Sequence, residues 1–119
     1  RFTSLFIVFA SMNAKGGVLL SIKTIRRDSK SHASPNAGWP ESAMAGSLNL
    51  WLGGPRHYGN RLRQAAKLNG DGDNATGANI YHALVIMRTA LWLFGLALMI
   101  FGAPALARGM IAGWQMIAG

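Results

Sequence analysis

Glu41 and Trp39 sit two residues apart in the stretch Ser34-Pro35-Asn36-Ala37-Gly38-Trp39-Pro40-Glu41-Ser42-Ala43-Met44-Ala45-Gly46. A carboxylate there can accept a proton, and an indole offers a flat apolar face. Pro35 and Pro40 fix φ and bias Ser34 and Trp39, the residues before them, toward extended geometry. Gly38 supplies a position where positive φ is easy. Pro40 suits the first position of a helix, and Glu41 falls in the first turn, where the macrodipole favours an anion. The stretch therefore reads as a rigid loop delivering Trp39 and Glu41 to a helix start. The local alternative is simply a turn and a cap.

Other site chemistries are narrowed by what the chain lacks. There are no cysteines, which excludes disulfides, zinc-thiolate sites and thiol nucleophiles. No Gly-x-x-x-x-Gly-Lys-Ser/Thr phosphate loop is present. His32, His57 and His82 show no metal-ligand spacing, so no metal site is expected. Asp71-Gly72-Asp73 hints at a calcium loop, but its twelfth position is His82 rather than Glu. Asn74-Ala75-Thr76 is a formal glycosylation sequon.

The elements that must position these groups follow from patterning. Lys and Arg number 12 against 4 acids, a net charge of +8, while half of the residues are hydrophobic and only 13% are charged. A basic yet apolar chain points to a membrane protein facing anionic lipid or ligands. Nucleic-acid binding is not expected, since no DNA- or RNA-binding signature accompanies the charge. At 119 residues one domain is expected.

Residues 1–12 read as the end of a transmembrane helix, whose earlier part, with further N-terminal membrane helices, is expected upstream of Arg1. Residues 13–82 read as a motif region. Within it, Val18 to Lys30 forms an amphipathic helix with Val18, Ile22 and Ile25 inward, and Pro40 to Leu52 forms a helix stopped by Gly53-Gly54-Pro55. Small residues four apart (Ser42 and Gly46, Ala43 and Ser47) would let another helix approach closely. Arg56 to Ala78 is polar and turn-rich. Residues 83–107 read as a transmembrane helix, with an uncharged run from Thr89 to Ala107 bracketed by Arg88 and Arg108. Residues 108–119 are an apolar tail. Ten of the basic residues lie between the two apolar segments, which places the motif region in the cytoplasm. The expected class is all-α: an integral-membrane helical protein with a cytoplasmic loop-and-helix region.

The run from Arg26-Arg27-Asp28 through Ser34–Gly46 to Leu52-Gly53-Gly54-Pro55 and Tyr58-Gly59 resembles the cobalamin-biosynthesis membrane protein family, the adenosylcobinamide-phosphate synthases. The resemblance extends from Arg1 to about Gly102 and covers the C-terminal part of the family's pattern. It implies an amide-forming enzyme that joins aminopropanol or its phosphate to adenosylcobyric acid, with ATP and magnesium as co-substrate. It further implies a multi-pass protein of the cell (inner) membrane whose partners are the corrinoid, the amine and the lipid bilayer.

Such a reaction needs an activated carboxylate, cations for phosphoryl oxygens and a base for the amine. Asp28, His32, Glu41, His57 and Asp71 are the available bases. Arg26, Arg27, Lys30, Arg56, Arg61 and Arg63 are the available cations, with Gly53-Gly54 as a possible backbone nest. The resemblance implies Glu41 and Asn36 as catalytic, and Arg27, His32, Trp39, Gly53, Gly54, Arg56, Tyr58 and Asp71 as substrate-binding, with Trp39 able to stack on the corrin. Asn60 to Lys67 departs from the family's pattern, and Asn69-Gly70-Asp71-Gly72 recovers it. Two rival readings are a non-catalytic membrane sensor of similar build and a basic membrane-surface module binding anionic lipid.

Overall fold

The apolar stretch at the start of the chain forms α1, Phe2–Ala10, and the basic stretch after the Gly16-Gly17 break forms α2, Gly17–Asp28. The computed structural model describes residues 1–32, 34, 36–59, 61–63, 65–102, 104, 108 and 115, with backbone alone at 56–58 and 61–63. A single 3-10 turn, Ser29–Ser31, continues α2 toward His32. The third helix, α3, covers Gly38–Leu48. Short strands follow: β1 Leu52–Gly53, β2 Arg56–Tyr58, β3 Arg61–Arg63 and β4 Lys67–Leu68. They form two antiparallel ribbons, β1 with β4 and, nested between them in sequence, β2 with β3. The last described helix, α4, covers Gly77–Ala97 and runs on through a π-turn at Leu98–Gly102. The architecture is predominantly helical, as expected; the ribbons fall where the sequence reads as turns.

The bounds of α3 differ from the expected Pro40 to Leu52. The helix begins two residues earlier, so Trp39 is helical despite preceding a proline. It ends at Leu48 because Asn49 turns left-handed, with φ 53° and ψ 44°. There the Leu50 N–H donates to the Ala45 carbonyl at 2.9 Å, closing the last turn. The Gly53-Gly54-Pro55 sequence, expected to stop the helix, instead bends the ribbon.

The inward face of α2 also differs. Ser21, Thr24, Ile25 and Asp28 are buried, whereas Val18 and Ile22 are only partly covered. The reason is the partner. The face of α3 turned toward α2 is built of Ser42, Ala43, Gly46 and Ser47, which accepts short polar side chains at close range. Ser21 Oγ donates to the Ala43 carbonyl at 2.9 Å, and Ser47 Oγ to the same carbonyl at 2.7 Å. A Cβ at Gly46 would stand 2.6 Å from Ser21 Cα.

The apolar core joins Ile7 and Val8 of α1, Ile25 of α2, Ala43 and Leu48 of α3, Leu50, and Ile86 and Ala90 of α4. Phe6 meets Phe94 edge to face at 5.4 Å, so α1 and α4 pack as a pair. The start of α4 precedes the expected residue 83, because Thr76 and Asn79 form a capping box. From Gly77 to Gly102 the helix is long and apolar enough to cross a membrane: an 18-residue window within it has mean hydropathy 2.1, and only 11% of that window is buried. Most of the expected tail, 108–119, lies outside the described residues.

Candidate active site

Two clusters of polar side chains gather around the junction of α2 and α3. The first is at the start of α3. Glu41 stands in its first turn, half-exposed, and its Oε2 lies 3.3 Å from Nε2 of His32. The other ring nitrogen of His32, Nδ1, accepts the Ser34 backbone N–H at 3.0 Å; the Ser34 carbonyl is farther, at 3.2 Å. The Nε2 edge of the ring faces the Glu41 carboxylate. His32 thus orients the carboxylate. Gly38 permits this closeness: its α-carbon faces the Ser29 carbonyl and His32 Cβ with no room for a side chain.

Trp39 is partly buried and packs against the core, and the Arg1 guanidinium lies 5.4 Å from its ring centroid. Its ring therefore plugs the base of the loop while keeping one face toward a cation. Asn36 is exposed in the turn leading to α3.

The second cluster closes the C-terminal end of α2. Arg27 donates twice to Asp28, Nε to Oδ1 at 2.7 Å and Nη2 to Oδ2 at 2.9 Å. Asp28 Oδ2 also accepts the Asn69 backbone N–H at 2.7 Å. The Asp71 carboxylate stands 3.7 Å from Arg27 Nη1 and is 96% exposed. The hydrogen bonds from Arg27 hold the Asp28 carboxyl below its ordinary range, outweighing the opposing effect of burial, and the Asn69 N–H adds to them. The Arg27 guanidinium is raised correspondingly, first by its hydrogen bond to Asp28. Asp28 is thereby fixed as an anion and is a poor base. Its work is to hold the outward-facing Arg27 in place.

Asn69 was not among the expected site residues. It is buried, with φ +51°, and its Nδ2 donates to the Leu50 carbonyl at 3.2 Å. It ties the Asp71 turn to both α2 and the end of α3. The signal for it was Asn69-Gly70, a pair suited to a left-handed turn; the signal for Asp28 was its place beside two arginines.

Gly53 and Gly54 both adopt positive φ, +93° and +78°. Gly54 N–H donates to the Ala66 carbonyl at 3.3 Å, so it is engaged in the ribbon. The pair therefore lacks the alternating handedness and free donors of an anion nest. The side chains of Arg56, His57 and Tyr58 lie outside the described residues; their backbone forms β2. A cleft of about 240 Å³ lined by Lys15, Leu48, Leu50, Asp73, Asn74, Thr76 and Asn79 lies at the other end of α3 and contains none of the expected site residues.

The model of the CobD/Cbib protein family matches residues 1–87. The chain belongs to that family. All of the expected site residues, with Asp28 and Asn69, fall inside the matched part. Three relatives, each named cobalamin biosynthesis protein CobD, set the measure. That of Rhodobacter capsulatus is 40% identical over 92 residues, covering 76% of this chain and 28% of its own length. That of Brucella anthropi is 48% identical over 59 residues, covering 50% and 18%. That of Mycobacterium tuberculosis is 36% identical over 88 residues, covering 74% and 28%. The chain thus spans 28% or less of these relatives' length. No solved structure matches it.

Proposed function

We propose that this chain carries the motif region of an integral-membrane enzyme of cobalamin biosynthesis, which joins aminopropanol or its phosphate to a carboxylate of adenosylcobyric acid as an amide. The family match over residues 1–87, which contains the Glu41–His32 pair and the Arg27 cluster, carries this reading. The helix from Gly77 to Gly102 spans the bilayer, α1 packs beside it, and the basic region between them faces the cytoplasm.

ATP, with magnesium, is the co-substrate that converts the inert carboxylate into an acyl phosphate. Arg27 faces the transferred phosphoryl group, held in position by Asp28 and supplying charge where oxygens become more negative. A magnesium-bound triphosphate needs few protein carboxylates, and Asp71 is exposed beside Arg27 to supply one. Glu41 accepts a proton from the ammonium of the amine, and His32 holds Glu41 toward it. Asn36, exposed on the same loop, donates to a substrate oxygen. Trp39 forms the apolar base against which the corrin edge lies, and Gly53, Gly54, Arg56 and Tyr58 contribute to substrate binding. The amine nitrogen attacks the acyl carbon, phosphate leaves, and the amide forms.

The test is complementation. The Rhodobacter capsulatus protein, with its matched segment replaced by this chain's, is expressed in a strain lacking its own CobD. Growth without supplement, in a strain that otherwise grows only when given cobinamide, is the expected result. An inserted chimera that restores no growth, while the unaltered relative does, overturns the reading.

A further inference from the structure

The outer face of α2 carries Leu19, Lys23 and Arg26, and Lys30 continues the line into the 3-10 turn. At 100° per residue the first three fall within a narrow stripe opposite the buried Ser21, Thr24 and Asp28. All four stripe residues are exposed, Leu19 to 84%. We infer that this stripe docks on the anionic headgroups of the bilayer, so that α2 lies along the membrane surface; the inference rests on the reading of α4 as a membrane span.

Three observations favour lipid as the occupant. First, the cations have no carboxylate partner among the described residues. The sequence holds four carboxylates, and each is engaged elsewhere: Asp28 and Asp71 by Arg27, Glu41 by His32, Asp73 by Lys15. Second, the charges are strung along about 11 Å of helix instead of converging, and an exposed leucine stands in line with them. A phosphate pocket gathers cations around a point, whereas a headgroup plane accepts a row of them with an apolar neighbour inserted. Third, the level is right. Lys15, just before α2, pairs with Asp73 at 2.5 Å, three residues before the Thr76 cap of α4. The start of α2 therefore lies at the N-terminal end of α4, the end that precedes the apolar run.

The experiment uses the absence of native cysteine. Leu19→Cys is spin-labelled and the chain reconstituted in nanodiscs of phosphatidylcholine, with or without added phosphatidylglycerol. Collision with lipid-soluble oxygen and with a water-soluble nickel chelate is measured. With phosphatidylglycerol the label is expected to meet oxygen and be shielded from nickel. Lys23→Gln, Arg26→Gln and Lys30→Gln together should lower the docked-to-free ratio on the order of 100-fold, for three cations near an anionic surface. High salt should act in the same direction. A label equally open to nickel in both lipids overturns the inference, and so does one shielded from both probes in either lipid, which means that protein covers the face. A chain that fails to enter the discs would overturn the membrane span itself, whereas an inserted chain with an open label overturns only the docking.

Discussion

Glu41 and Asp28 are both carboxylates near the α2–α3 junction, yet their settings differ. Glu41 is half-exposed and touched by a single imidazole, which leaves lone pairs for a substrate. Asp28 is buried, with both oxygens bonded to Arg27 and one also to Asn69. In the chimeric enzyme, Glu41→Gln is expected to lower turnover roughly 100-fold or more, as for loss of a general base. His32→Ala should lower it by about ten-fold through loss of the one polar side-chain contact that positions the carboxylate, with the amine KM little changed, as steady-state kinetics would show. For Asp28 the expectation concerns stability. Its carboxyl titrates lower in the folded than in the unfolded chain, so its contribution is present above the unfolded value, near ~4, and is lost as pH falls through the folded one. Melting midpoints in detergent, followed from neutral pH to about pH 3, should fall for the parent more steeply than for Asp28→Asn. Asp28→Ala should cost about 2–3 kcal/mol at neutral pH, because the Asn69 N–H loses its buried acceptor. The place of Glu41 in the first turn of α3 was legible from the proline before it. The hold of His32 on it was not, since nine residues and a turn separate them and only the fold closes that gap.

The α2–α3 seam is set by small residues, and its tightness is testable at Gly46. A methyl there would approach Ser21 Cα, the Leu20 carbonyl and Thr24 Oγ1 within 2.8 Å. Gly46→Ala is expected to destabilise the chain by about 1–3 kcal/mol, the usual cost of forcing volume into a filled interface, read as a lowered melting midpoint in detergent. The spacing of Ser42, Ala43, Gly46 and Ser47 announced this seam in the sequence. Which face of α2 would fill it was not announced. Counting apolar residues favoured Val18, Ile22 and Ile25, but a partner this close admits Ser21 and Thr24 more readily than branched side chains. The end of α3 shows a similar limit. Gly53-Gly54-Pro55 is the stronger stop signal by composition, yet Asn49 stops the helix first because its left-handed turn lets Leu50 bond back to Ala45. The ribbons were missed because each strand has only two or three residues, too few for an alternating pattern to emerge.

Taken together, the helices leave one side of the molecule apolar. Along α4 only Ile86 and Ala90 are buried, while Leu84, Met87, Leu91, Trp92 and Leu96 are exposed. Such a face is stable against lipid, and the uncharged run from Thr89 made this part of the fold the most legible. Leu91→Arg, near the middle of the span, should disfavour insertion by about 2.5–3.5 kcal/mol, seen as loss of the chain from the carbonate-washed membrane fraction. Membranes bearing the chimera are given adenosylcobyric acid, ATP and aminopropanol phosphate, and the corrinoids are resolved by mass spectrometry. The predicted result is a species with the mass of corrinoid and amine joined with loss of water, absent when ATP is withheld and nearly absent with Glu41→Gln. An inserted chimera yielding no such species, beside an unaltered relative that does, would contradict the account.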